Sequence, residues 1–188
     1  MMPRGLFTFA AIAVVGAGAW FGMRAVGNAA PPVAVGAFAP DFKATEIGGT
    51  GQVKGIADYK GDVVLVNLWA TWCVPCVTEM PSIQRLYDRF RDQGFRVVGI
   101  AVDDPPYAER VATFVRDHGL SFEILHEGSG MVEQDYRARG IPATYVIGRD
   151  GRIRVIRQGA SDWDSEASRA VVAQLLRRDP AEGARPTP

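Results

Sequence analysis

Three hydrophobic patterns follow one another along this chain. The first is an uncharged run, "GLFTFAAIAVVGAGAWFGM" (Gly5–Met23), bounded by Arg4 and Arg24. As a helix it would extend roughly 28 Å, close to the ~30 Å hydrocarbon thickness of a bilayer. The second pattern is the short, nearly continuous apolar stretch. "DVVLVNLWA" (Asp62–Ala70) and "FRVVGIAVD" (Phe95–Asp103) both read as strands covered on two faces. The third is the helical repeat. Cys76, Met80, Ile83, Tyr87 and Phe90 fall on one face of a helix expected to open at Cys76. "YAERVATFVRDHG" (Tyr107–Gly119) predicts a helix stopped by Gly119, and "DWDSEASRAVVAQLLRR" (Asp162–Arg178) a closing amphipathic helix.

Shorter elements fill the intervals. "DFKATEIGGTGQVKG" (Asp41–Gly55) predicts an N-terminal hairpin, two short strands around a Gly-rich turn. "SFEIL" predicts a short strand and "SGMVEQDYRARG" a short helix, while "ATYVIG" and "RIRVIRQG" flank the tight turn "RDG". Buried strands alternating with helices and ending in a hairpin imply an α/β three-layer sandwich around a mixed central sheet. The chain therefore divides into an N-terminus (1–4), the apolar run (5–23), an Ala/Gly/Pro-rich linker (24–37), one folded domain (38–178) and an aperiodic tail (179–188). No internal repeat is visible.

The apolar run decides the compartment. A cleaved signal peptide has a shorter apolar region and a clean small-x-small site, whereas "AVGNAAPP" (Ala25–Pro32) is ambiguous and ends in a double proline. Gly5–Met23 is therefore expected to stay as a single-pass signal-anchor in the cytoplasmic membrane. Residues 1–4 would be cytoplasmic, and everything after Ala30 would lie on the extracytoplasmic, periplasmic side. Composition adds little. A chain of 188 residues that is 47% hydrophobic can build one core, and a net charge of zero gives no reason to expect nucleic acid.

The two cysteines, Cys73 and Cys76, stand in "WATWCVPCVTEMP" between a buried strand and a helix. A thiolate attacks disulfides where a thiol hardly does, and unpaired N–H groups at a helix mouth favour that charge at Cys73. Cys76, one turn in, is placed to resolve a mixed disulfide. Pro75 in the first turn costs no helical hydrogen bond. Two bland readings compete. A passive disulfide would usually close a longer loop, and a zinc site needs two further ligands, yet His118 and His126 lie far downstream with no second CxxC. A reversible dithiol/disulfide fits best.

"NLWATWCVPCVTEMPSIQRLY" and the later "GIPATYVIGRDGRI" together resemble the TlpA/ResA-like thiol–disulfide oxidoreductases, the membrane-tethered branch of the thioredoxin superfamily. The likeness covers most of Ala39–Arg178, with an extra βα insertion before "GIP". It implies a thioredoxin-like fold, catalysis by Cys73 and Cys76, and a cis peptide at Pro142 facing them. Trp72, Val74, Pro75, Ile141 and Pro142 become the expected substrate-binding residues, with Trp72 covering the disulfide and the Ile141 backbone pairing with substrate. Cytoplasmic thioredoxins carry a buried aspartate where this chain has Asn67, whereas the ResA-like branch carries a glutamate at the position of Glu79. Glu79, three after Cys76 and on its face of the helix, is thus expected to have a raised pKa and to shuttle protons. Pro81 matches the kink proline of thioredoxin helices.

The resemblance also implies a reductive role outside the cytoplasm, on the CxxCH disulfide of apocytochrome c or on copper-centre assembly proteins. Electrons would come from a membrane thiol–disulfide electron transporter. No cofactor beyond the redox-active Cys73–Cys76 disulfide, and no metal, is expected. Three alternatives stand beside it: a general disulfide oxidase or isomerase, a peroxidase, and a non-enzymatic copper carrier using Cys73, Cys76 and His126. The PxxxTxxC peroxidase pattern is absent, because Thr71 stands two rather than three residues before Cys73.

Overall fold

The computed structural model describes residues 33–177. The expected N-terminus, the apolar run Gly5–Met23, the greater part of the linker, and the tail 179–188 lie outside the described residues. Among those described, no helix is long and apolar enough to cross a membrane.

Seven strands form one mixed sheet: β1 (Ala44–Glu46), β2 (Val53–Lys54), β3 (Val63–Trp69), β4 (Phe95–Ala101), β5 (Glu123–His126), β6 (Ala143–Ile147) and β7 (Ile153–Gln158). Their order is β2-β1-β5-β4-β3-β6-β7. The helices are α1 (Val74–Phe90), α2 (Ala108–Asp117), α3 (Met131–Asp135) and α4 (Glu166–Arg177). β3, β4 and β5 run parallel, joined through α1 and α2, and β6 returns antiparallel beside β3. The β1–β2 hairpin pairs antiparallel with β5. This is the thioredoxin-like α/β arrangement expected from the sequence.

Central position explains why β3 reads as an unbroken apolar run. All seven of its residues are buried, because strands flank it and layers cover both faces. Val63, Leu65 and Trp69 pack with Met80 and Ile83 of α1, Val111 of α2 and Val172 of α4. Val64, Val66 and Leu68 point the other way, into Phe42, Val132, Tyr136 and Tyr145. Burying one such aliphatic side chain contributes about 1.5–3 kcal/mol. Asn67, on the first of these faces, is the one polar side chain in β3.

The structure departs from the sequence reading at several points; the closing helix α4, for one, starts at Glu166 rather than Asp162. α1 starts at Val74, with Cys73 as its cap, rather than at Cys76. Leu86 takes the inward position beside Ile83 and Phe90, leaving Tyr87 half-buried at the core's edge. The end of the expected linker is also tied down: the Gly36 N–H donates to the Ile153 carbonyl (2.8 Å), and Arg152 donates to the Gly36 carbonyl (2.8 Å).

Candidate active site

At the carboxyl ends of parallel strands, loops converge and the chain reverses, and ligand and catalytic groups gather at such ends in open α/β sheets. Here β3 gives way to Thr71–Trp72 and then α1. Cys73 is extended (φ −85°) and caps the helix, its sulfur accepting from the Cys76 N–H at 3.3 Å. Cys73 and Cys76 form a disulfide. Cys73 keeps a sliver of surface, 5% exposed, while Cys76 is fully buried. An outside thiol can therefore reach only the first sulfur. The N–H and the helix dipole both favour negative charge on that sulfur once the bond is reduced.

The turn before Cys73 is fixed from β4's side. The main-chain N–H of Thr71 donates to Asp103 Oδ2 at 3.0 Å, and its hydroxyl donates to Oδ1. Asp103 is fully buried, and its carbonyl faces His126 Nε2 at 2.7 Å. At Gly128 a side chain would come within 2.5 Å of that same carbonyl, so only glycine fits there. Asp103 was not singled out by the sequence. An acid closing a buried strand was the available signal, but its partner Thr71 is 32 residues away.

Glu79, one turn beyond Cys76 on α1, is 2% exposed. Its Oε1 accepts from Asn67 Nδ2 at 2.8 Å and its Oε2 from the Ser161 N–H at 3.0 Å. Burial raises its pKa above the ordinary carboxyl value; the Ser161 N–H and then the Asn67 amide oppose the rise. The Trp163 indole N–H lies close enough to oppose it too, without forming a hydrogen bond of normal geometry. Asn67 is held by a second bond, from Nδ2 to Thr144 Oγ1 at 2.8 Å, and Thr144 is its direct register partner on β6. A surface hollow of about 320 Å³ lies between α1 and the loop before α4, lined in part by Glu79, Ser82, Arg85, Ser161 and Asp162.

The expected substrate-binding residues divide by exposure. Trp72 (65%) and Val74 (76%) project into solvent, and Pro75 is exposed beside them. Trp72 directly precedes Cys73 and leaves most of its surface open to solvent. The Ile141–Pro142 peptide is cis, with Pro142 buried and Ile141 half-buried against the cluster that contains both cysteines. Pro81 stands inside α1 and is exposed. Among the described residues, no three His, Cys, Asp or Glu side chains gather as a metal-ligating group.

Residues 35–156 match the AhpC/TSA family. The thiol–disulfide oxidoreductase ResA of Geobacillus kaustophilus is 35% identical over 127 residues, covering 68% of this chain and 71% of that protein. ResA of Oceanobacillus iheyensis is 35% identical over 132 residues, covering 69% and 68% respectively. Among solved structures, a Chlorobium tepidum protein assigned as the thiol:disulfide interchange protein DsbE superposes with a TM-score of 0.69 at 26% identity, covering 77% of this chain and 99% of that one.

Proposed function

Because the chain belongs to the ResA-like thiol–disulfide oxidoreductases of the AhpC/TSA family, we propose that it works as a reductant of protein disulfides outside the cytoplasm, with apocytochrome c as its substrate class. The arrangement that carries this reading is a disulfide with one reachable sulfur, capped on a helix, and a buried carboxyl one turn behind it. In the reduced enzyme the Cys73 thiolate attacks a substrate sulfur. The substrate S–S bond breaks, its second sulfur leaves as a thiolate that takes up a proton, and a mixed disulfide remains. Cys76 then passes its proton to ionised Glu79 and attacks Cys73, releasing the remaining substrate thiolate. Two electrons have moved to substrate, and the Cys73–Cys76 bond is re-formed. A carboxyl displaced toward the thiol range accepts that proton more readily than an ordinary one. Trp72, Val74 and Pro75 offer the docking surface, with the Ile141 backbone pairing alongside.

Gly5–Met23 would tether the domain to the membrane, where a thiol–disulfide electron transporter could recharge it. Trapping tests the reading. Full-length Cys76→Ala, reduced and expressed in a cell that makes c-type cytochromes, should hold apocytochromes through Cys73. A broad set of secreted proteins captured instead would turn the assignment to general disulfide housekeeping. No covalent partner at all would end it.

A further inference from the structure

Asn67 occupies a costly position. It is fully buried in the middle of an otherwise apolar strand, and its Oδ1 has no hydrogen-bond partner. Its Nδ2, by contrast, makes two bonds, to Glu79 Oε1 and Thr144 Oγ1. Buried amides are normally satisfied at both ends. A lopsided one records which of its two orientations the neighbours demand.

Those demands change with one proton. While Glu79 is ionised it only accepts, so Asn67 must present its NH2. Each carboxylate oxygen accepts one bond, but the Ser161 N–H on Oε2 is main chain and can only donate, whereas the Asn67 carboxamide on Oε1 can turn, so an added proton is accommodated on Oε1, facing Asn67. Two donors would then oppose each other. A half-turn of the carboxamide removes the conflict, bringing Oδ1 to accept from the acid and from the Thr144 hydroxyl, which is free to rotate. Nδ2 would then occupy the place where Oδ1 now stands unpartnered.

We propose that the Asn67 carboxamide is a two-position relay that turns over when Glu79 gains or loses its proton and so reports that event to Thr144, two residues past Pro142. This rests on Glu79 serving as the proton carrier and adds a positioning residue to that role. The groups that meet the Glu79 carboxyl are Asn67 on β3 and the Ser161–Trp163 loop, with Cys76 one turn back on α1 and with Arg85 and Asp162 on the rim of the adjoining hollow. Arg85 and Asp162 are exposed, which leaves Asn67 as the buried side chain bonded to the carboxyl.

Isotope-labelled full-length protein, titrated by NMR in oxidised and reduced forms, provides the test. The Glu79 carboxyl carbon and the Asn67 side-chain NH2 should move with one midpoint. Contacts between those NH2 protons and Thr144 should weaken on the acid side. Asn67→Leu, which removes a charge-assisted donor, should raise the Glu79 midpoint and the matching inflection in Cys73 alkylation by about one to two pH units. An Asn67 amide that stays unmoved while Glu79 titrates overturns the relay and leaves the proton-carrier role standing. A Glu79 titration indifferent to the redox state of the cysteines removes that role, and the relay falls with it.

Discussion

The two faces of the sheet treat buried polar atoms differently. On the face away from α1, Tyr136 donates to the Pro40 carbonyl (2.9 Å) and Tyr145 to the Tyr136 carbonyl (2.8 Å), while Tyr59 donates to Glu123 (2.8 Å). Each hydroxyl in that core is satisfied. The face that packs on α1 and α4 contains a buried carboxyl at Glu79 and leaves Asn67 Oδ1, Trp69 Nε1 and Trp163 Nε1 without partners. An unsatisfied buried group costs about 1–3 kcal/mol, a large share of a domain's ~5–15 kcal/mol of stability. The contrast separates a face whose buried hydroxyls are all bonded from a face that keeps spare polar capacity on the side where the cysteines pack.

The largest effect should come from damaging the satisfied face. Tyr136 is fully buried and packs edge-on against Tyr145 at 4.8 Å between ring centroids. Tyr136→Ala removes an aromatic side chain and should cost about 3–5 kcal/mol in denaturant unfolding. Thiol–disulfide exchange per folded molecule should not change. A matching loss of exchange rate would show that the two faces are not separable in this way.

Much of the fold and of the site, though not this division, was legible in the sequence, and the limits follow from distance along the chain. β3 and β4 announced themselves as apolar runs because strands buried on both faces have no polar side to show. Cys73, Cys76 and Glu79 fell into one local spacing, and the family resemblance added Ile141 and Pro142. Asp103 escaped because its partner Thr71 lies on another loop. The Asn67–Thr144 and Glu79–Ser161 bonds link residues 77 and 82 apart, which no helical or strand periodicity can register.

A smaller effect, dependent on pH, is expected at Glu79. Its folded pKa lies above the ordinary 4.5 because of burial. Below pH 4.5 the folded and unfolded chains both hold the proton, so the group's stabilising contribution is complete. As pH rises toward the folded value, the unfolded chain releases its proton first and that contribution is lost. Each unit of displacement corresponds to about 1.4 kcal/mol. Relative to Glu79→Gln, wild-type stability should therefore decline across this window and run parallel outside it, as read from urea unfolding at a series of pH values. The same variant should lose one inflection from the pH profile of thiol alkylation. Parallel curves throughout would mean that the carboxyl pays no burial penalty, and the contrast between the faces would lose its clearest member.

The gentlest probe is Tyr145→Phe, which deletes one hydroxyl and keeps the ring. That hydroxyl donates to the Tyr136 carbonyl and accepts from Gln158 Nε2 at 3.3 Å. Its loss leaves a buried carbonyl short of one donor, which should cost about 1 kcal/mol. Tyr145 neighbours Thr144 on β6, but alternation along the strand sends the two side chains to opposite faces. If the faces are functionally distinct, Tyr145→Phe lowers the urea midpoint slightly and leaves the alkylation pH profile of Cys73 where it was. A shift in that profile would mean that the strand backbone couples the two faces, since no side-chain contact joins this hydroxyl to Glu79. Small as it is, this effect is the most selective of the three, because the altered atom sits one residue from the proposed relay and on the wrong side of the sheet to touch it.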